Sequence, residues 1–264
     1  GGTCMADAVV LATGGMSYPG TGSTGDGYRL AERLGHTVVS PRAALVPIEA
    51  SEKWCAELMG LSLKNVTLTL KNAAGKAVFS EMGEMLFTHF GVSGPLVLST
   101  SSYIKEDPGA YRIEIDLKPA LNMQQLDARL LRDFAENRNR DFINALDRLL
   151  PRKLIPVAVR LSGVAPEKKV HSITQAERRA FAALLKALPV TPKAFAPIEQ
   201  AVITSGGISA REINPKSMES KLIRGLYPIG EVVDVDAFTG GFNLQIAFST
   251  AFLAAAAIAA ADNG

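Results

Sequence analysis

From Ala12 to Gly35 the chain reads ATGGMSYPGTGSTGDGYRLAERLG, with Gly14, Gly15, Gly20, Gly22, Gly25 and Gly27 interleaved with Ser and Thr ahead of a helix-like run. Such a segment offers free backbone N–H groups and little side-chain bulk, which suits either a solvated connector or backbone held close to an anion. Upstream, Asp7-Ala8-Val9-Val10-Leu11-Ala12 is a short apolar run that predicts a buried strand leaving through Thr13-Gly14-Gly15. Downstream, Ser23 or Thr24 can cap a helix over about residues 25–34, Gly35 can end it, and Thr37-Val38-Val39 predicts a second strand.

Gly20 to Gly25 matches G-x-G-x-x-G literally, but the match fails as a dinucleotide fingerprint. The first glycine of that motif makes the turn at the strand end, and a ribose-binding acid follows about twenty residues on. Here the strand ends at Thr13, well before Gly20, and no carboxylate follows Ser40-Pro41 until Glu49.

From Pro41 the pattern changes. Val66, Leu68 and Leu70 alternate with polar residues, Asn72-Ala73-Ala74-Gly75 turns the chain, and Ala77-Val78-Phe79 answers it as a hairpin. Tyr111, Ile113, Ile115 and Leu117 alternate likewise. After Leu121 helical spacing takes over: Leu126, Leu130, Leu131 and Phe134, then Ile143, Leu146, Leu149 and Leu150, then Leu154, Val157 and Leu161. Thr174-Gln175-Ala176-Glu177 is a capping box opening a helix to about Leu188. The last stretch returns to the first style, with Gly206-Gly207, Gly230-Glu231 and Gly240-Gly241 before a small-residue helix. The expected fold is α/β, α+β overall: residues 1–45 and 200–264 form one layer, interrupted by an antiparallel β unit (46–120 with 187–199) and a helical unit (121–186).

Whole-chain charge is uninformative, at +2 from 28 basic and 26 acidic residues. Its distribution is not: residues 121–186 carry 13 Lys and Arg against seven Asp and Glu, a net of +6. Cys4 and Cys55 form no C-x-x-C pair, so neither a disulfide framework nor a dithiol centre is indicated, and a reducing cytoplasm fits. No signal-peptide pattern opens the sequence. The apolar run Ile246 to Ala261 contains Ser249 and Thr250 and is short for a span, so it reads as a buried helix packed through small residues rather than as a membrane segment. His36 and His171 have no neighbours at ligand spacing, and no metal site can be assembled.

The segment ATGGMSYPGTGSTGDGYRLAERLGH resembles the ATGG…TGDG region of flavoproteins of the glutathione-reductase-like superfamily, and its spacing is closest to the HI0933-like (BaiN-type) NAD(P)/FAD-dependent oxidoreductases. ALVPIEA at 44–50, GEMLFTHFGVSGPLVLS at 83–99, LLPRKLIPVAVRLSG at 149–163 and the segment from Ala201 to Ala247 resemble the same family, in the expected order. The resemblance implies a partial FAD-binding, Rossmann-like domain carrying the two insertions. It implies that Ala12, Thr13, Gly14 and Gly15 contact FAD from one side. Gly230 and Glu231 would hold the ribityl chain, and Gly240, Gly241, Phe242, Asn243 and Leu244 would face the pyrophosphate and the flavin pyrimidine edge. A helix N-terminus there suits the negative charge that a reduced flavin develops. The family's own G-x-G-x-x-G unit lies N-terminal to everything seen here. The expectation is therefore a truncated chain that binds FAD weakly, with an exposed sheet edge.

Flavin carries the redox chemistry, so the protein supplies placement, electrostatics and a proton donor. No catalytic residue is assigned. His89 is a candidate acid or a residue that holds its loop by hydrogen bonding. Arg211 and Lys216 are candidates for an anionic group or are solvated charges. The function expected from the resemblance is NAD(P)H-driven reduction of an activated C=C bond, in an enone-like small molecule or in a uridine of ribosomal RNA. Arg129, Arg132, Arg138, Arg140, Arg148, Arg152, Lys153, Lys168, Lys169, Arg178 and Arg179 form either an RNA-facing surface or a solvated helical face. The competing class is a non-enzymatic RNA- or protein-binding module.

Overall fold

The computed structural model describes residues 2–105 and 107–262. The chain is of mixed α/β class and divides into two compact units, one of Gly1–Val46 with Ala196–Gly264 and one of Pro47–Phe195. It enters the first unit through β1 (Val9–Leu11), α1 (Asp26–Arg33) and β2 (Val38–Ala44). The second unit follows as β3 (Ile48–Ala50), α2 (Trp54–Glu57), β4 (Ser62–Lys71), β5 (Ala77–Phe87), β6 (Gly91–Ser93), α3 (Pro95–Ser101) and β7 (Arg112–Asp116). Then come α4 (Met123–Glu136), α5 (Ile155–Ser162), α6 (Gln175–Lys186), β8 (Leu188–Val190) and β9 (Pro192–Phe195). The chain returns to the first unit as β10 (Ile203–Ile208), β11 (Leu226–Pro228) and α7 (Phe242–Asp262).

In the first unit β1 runs parallel to β11, with Val9 opposite Leu226 and Leu11 opposite Pro228. β2 runs antiparallel to β10, with Ala44 opposite Ile203. A partial Rossmann-like layer results, packed around Leu11, Tyr28, Ala31, Ile208, Leu226, Tyr227 and Val232. The α1 helix starts one residue later than the capping argument suggests. Its N-cap is Gly25, in left-handed backbone at φ 77° with no side-chain cap, and the Thr24 hydroxyl donates instead to Asp26 Oδ2 at 2.9 Å. His36, fully buried, ties this unit together across the sequence. Its Nδ1 lies 2.9 Å from Glu212 Oε2, and its Nε2 lies 2.9 Å from Ser220 Oγ. That hydroxyl oxygen also accepts from Leu222 N and Ile223 N, so its lone pairs are occupied and the Ser-His-Glu array is structural rather than nucleophilic. Glu212 accepts from Thr37 N as well, and these bonds, the one to Thr37 foremost, hold its carboxyl below the usual range.

The expectation of a buried C-terminal helix is corrected. Among the residues of α7 whose burial is described only Ala254 is fully buried, while Leu253, Ala257 and Ile258 are half-buried against the core, and Phe242, Leu244, Phe248 and Phe252 are 59–72% exposed. The helix is apolar on every side, so it has no polar face with which to choose an orientation, and packing alone selects the side that is covered. It is long and apolar enough to cross a membrane by length and composition. β1 has one partner among the described residues, and Val9 and Val10 are about half exposed.

In the second unit seven strands pair antiparallel in the order β8-β7-β4-β5-β6-β3-β9. β8 and β9 sit at opposite ends of that order, yet Thr191 alone separates them in the chain. A single residue spans only about 7 Å between its neighbours, so the sheet has to curl until its edges meet, which makes a barrel. The expected hairpin is present and longer than its alternating core, since β4 and β5 run on to Ser62 and Phe87. Asn72 Oδ1 fixes its turn by accepting from Ala74 N and Lys76 N. The Thr174–Glu177 capping box forms as the sequence requires. A second, Asn122 with Gln125, opens α4. The run Ile143 to Leu150 is not a helix: only a 3-10 turn at Phe142–Asn144 forms there. Its leucines are nonetheless buried, because burial needs apolar residues whatever their periodicity.

The β and helical stretches share one core, in which Ile113, Ile115, Leu126, Leu130, Phe142, Phe181 and Leu185 belong to a single buried cluster. Phe142 meets Phe181 edge-on with ring centroids 5.0 Å apart. Truncating Phe181 to Ala is expected to cost about 3–5 kcal/mol and to lower the urea midpoint of strands and helices together. A Trp54 fluorescence midpoint left unchanged by this truncation in α6 would contradict a shared core.

Candidate functional site

Because β1 and β11 are parallel neighbours, they end at the same edge, and the turns that follow them lie side by side. Ile229 N donates to Leu11 O at 3.1 Å, which locks the two strand ends together. From one strand comes Ala12-Thr13-Gly14-Gly15, and from the other the 3-10 turn of Gly230–Val232. Gly15 is buried against this second turn. A Cβ there would lie 2.4 Å from Thr204 Oγ1 and 2.6 Å from Glu231 Oε1, so any larger residue would push the carboxylate away. Glu231 Oε1 accepts from Thr204 N at 2.7 Å. Thr204 Oγ1 in turn accepts from Met16 N at 2.8 Å and lies 3.1 Å from Ser17 Oγ. The Thr204 hydroxyl thus binds segments nearly two hundred residues apart, and the Glu231 carboxylate holds Thr204 from the second turn.

The remaining predicted residues are distributed around this contact. Ala12 is exposed and Gly14 backs onto Ser23. Thr13 Oγ1 lies against Gly27 in the first turn of α1, where a Cβ would come within 2.0 Å of it. Among the described residues it is the one buried side-chain oxygen or nitrogen without a hydrogen-bond partner. Gly230 faces α7, its N donating to Thr250 Oγ1 at 3.0 Å. Gly240 and Gly241 lead into α7, whose first-turn N–H groups have no intrahelical acceptor. Asn243 does not point its amide at open space: Oδ1 accepts from Ala237 N at 2.9 Å and Nδ2 donates to Ala237 O at 2.8 Å, pinning the approach to the helix. Phe242 and Leu244 are exposed.

Sequence reasoning missed three residues. Thr204 and Ser17 carry the bridge between the two turns. Tyr28 lies beneath them, its hydroxyl donating to Glu231 O at 3.4 Å. Burial, with Glu231 and then Asp234 nearby, pushes the Tyr28 phenol up to about 12. The placing of Thr204 two residues before the Gly206-Gly207 pair was the available signal. His89 is exposed in the turn after β5 and packs edge-on against Phe90. Arg211 and Lys216 are exposed and make no ion pair among the described residues. No group of three or more potential metal ligands occurs among the described residues.

The basic helices are less free than their composition suggests. Arg129, Arg140, Arg148, Lys168, Lys169 and Arg178 each pair with a carboxylate, and Lys153 donates to Met59 O. Arg132, Arg138, Arg152 and Arg179 have no ion-pair partner among the described residues. Glu177, bonded first by Lys168 and then by the Thr174 cap, has its carboxyl lowered to about 2.

An α/β layer with a glycine turn set against a carboxylate at the ends of parallel strands, joined to an antiparallel barrel with packed helices, defines the class of chain. Residues 42–203, more than half of it, match the model of the HI0933-like protein barrel and H2TH domain, and the chain belongs to the HI0933-like family. It is 34% identical over 253 residues to a ribosomal RNA dihydrouridine synthase of Haemophilus influenzae, covering 95% of this chain and 60% of that protein. It is also 34% identical to the Escherichia coli protein of the same name, over 100% of this chain and 63% of that one. A 3-dehydro-bile acid delta(4,6)-reductase of Clostridium scindens is 30% identical over 96% of this chain and 62% of its own length. The chain spans about three fifths of the length of these relatives.

Two predictions follow from the geometry of the Gly15 contact. The neutral form of Tyr28 is favoured by folding, so its contribution to stability is complete below pH 10 and is lost as the pH rises toward about 12. Tyr28→Phe is expected to flatten alkaline unfolding in that window, and an unchanged profile would show that the phenol is not responsible. Thr13→Val removes a buried hydroxyl that has no partner, so it is expected to leave the melting temperature of the free chain unchanged or higher. A fall in melting temperature would mean that the hydroxyl is bonded in the folded state.

Proposed function

We propose that the first unit carries part of the FAD site of a flavoprotein oxidoreductase, and that the reaction is NAD(P)H-driven reduction of a C=C bond, with uridine of ribosomal RNA as the acceptor. The observation that carries the reading is the buried Gly15 turn packed on Glu231, with a glycine-led helix start beginning α7. Such a cradle gives an adenine dinucleotide what it needs. Close backbone accommodates phosphate, a carboxylate accepts from sugar or ribityl hydroxyls, and N–H groups at a helix start offset negative charge. Glu231 Oε2 makes no hydrogen bond among the described residues and is free to accept, and the unpartnered Thr13 hydroxyl is a second polar group at the same edge. FAD, when bound, supplies the two-electron chemistry of C=C reduction. The chain's own residues would bind and orient it: Gly15 by letting the Glu231 carboxylate pack against the turn, Glu231 by accepting from hydroxyls, and the start of α7 by its partial positive charge.

The choice of acceptor rests on the relatives. Two bear the name of a ribosomal RNA dihydrouridine synthase, and dihydrouridine is uridine with its ring C=C bond reduced. The third, at lower identity, bears the name of a bile acid reductase, which supports an enone-like acceptor as the second reading of the same reaction. The two cysteines are free, one exposed and one buried, which supports a reducing, cytoplasmic setting.

Titration of FAD with the chain is expected to quench flavin fluorescence, and Gly15→Val is expected to abolish the quenching. With FAD and NADPH present, uridine-containing ribosomal RNA should gain two hydrogens per modified base by mass spectrometry. Quenching that survives Gly15→Val would remove the cradle. FAD binding with reduction of an enone but not of RNA would select the second acceptor, and absence of any flavin binding would leave a non-enzymatic binding module.

A further inference from the structure

On α4 and just beyond it, Leu131, Phe134, Ala135 and Arg138 recur at spacings of three, four and seven, and so lie along one helical stripe. They line a groove of about 220 Å³ whose other wall is Val170, His171, Ile173 and Arg178. Its floor is apolar, with Phe134 and Val170 buried, and Leu131 stands at the rim 47% exposed. One fixed and one unpaired arginine meet in this groove. Arg178 is held by both oxygens of Asp127, at 2.7 and 3.1 Å, so it is a fixed wall and not a free charge. Arg138 has no ion pair among the described residues, and Arg132 and Arg179, next in sequence to groove residues, have none either. His171 Nδ1 donates to Arg138 O at 2.7 Å, which holds the imidazole beside that arginine.

An apolar floor alone would suit a hydrophobic side chain, and free cations alone would suit any anion. The combination within one small groove is the chemistry of single-stranded nucleic acid, where a base packs on an apolar surface while the neighbouring phosphate meets a guanidinium. The cavity, at about 220 Å³, is smaller than the roughly 300–1,000 Å³ of sites for drug-sized ligands, so it takes only a small group. We propose that this groove seats one unpaired base of RNA against Leu131, Phe134 and Ile173, with the adjoining phosphate on Arg138. The inference rests on the RNA reading above and deepens it, by separating this seat from the diffuse charge of the helices.

The test is binding of a labelled single-stranded RNA of about 12 nucleotides to the 264-residue chain across roughly 50–200 mM salt, with circular dichroism of every variant as the folding check. Arg138→Glu is expected to weaken binding about tenfold and to reduce the salt slope by about one. Leu131→Ala should weaken it about fivefold or more with the slope unchanged, since it removes apolar contact and no charge. Arg152→Glu makes the same charge change at an exposed, unpaired arginine outside the groove and should weaken binding much less. If Arg152→Glu matches Arg138→Glu, if Leu131→Ala binds like the wild type, or if duplex RNA binds as tightly as the single strand, the seat is overturned while the RNA reading stands. If the wild-type chain binds no RNA at the lowest salt, the RNA reading falls too, and reduction of a small enone is unaffected.

Discussion

Everything in this chain depends on two strand pairings that close a long insertion at its neck. Ala44 of β2 faces Ile203 of β10 in the first unit, and Ile48 of β3 faces Phe195 of β9 in the second. The chain therefore leaves and re-enters at paired positions on both sides of the division. Closing a loop costs an entropy that rises only with the logarithm of its length, about 0.6 kcal/mol per doubling, so a folded insertion of this size is tolerated once its ends are held. The barrel holds them, because its edge strands meet at Thr191, and the first unit can then be assembled from both ends of the sequence.

That assembly explains why the polar contacts of the first unit are so long-range. Glu231, Thr204, Gly15 and Met16 converge from three segments, and His36 meets Glu212 and Ser220 in the same manner. A buried carboxylate or imidazole is costly unless its hydrogen bonds are satisfied, so each cluster enforces one alignment of the two segments. The β1–β11 pairing sets the strands, and the side chains fix how the turns after them meet. A site made of two turns needs both.

Much of this was legible in the sequence, and the reasons are local. Thr174 with Glu177 announces a helix because a capping box satisfies its own backbone within four residues, and Val66, Leu68 and Leu70 announce a strand because one face is wet. Gly15 and Glu231 stand out through motif context. What stayed hidden is non-local. Thr204 reads as an ordinary strand residue until Met16 and Ser17 are brought beside it, the bonds of the Asn243 side chain to Ala237 leave no mark in the sequence, and the Ile143–Leu150 stripe mimics a helix because a core collects leucines in any conformation.

The clearest divergence between composition and structure is electrostatic. A net of +6 over residues 121–186 suggests a continuous basic face, yet the acids of the same segment lie within reach of its cations. Asp127, Asp133, Asp141, Asp147, Glu136 and Glu177 each hold one. An ion pair at the surface contributes little to stability, but it cancels the near field of the cation it holds, and at physiological salt the field of an exposed charge extends only about 8 Å. What a partner meets at short range is the set of cations left over. Of those, Arg138 alone lines the groove beside α4, so the near field there is set by one guanidinium and not by the sum of charges.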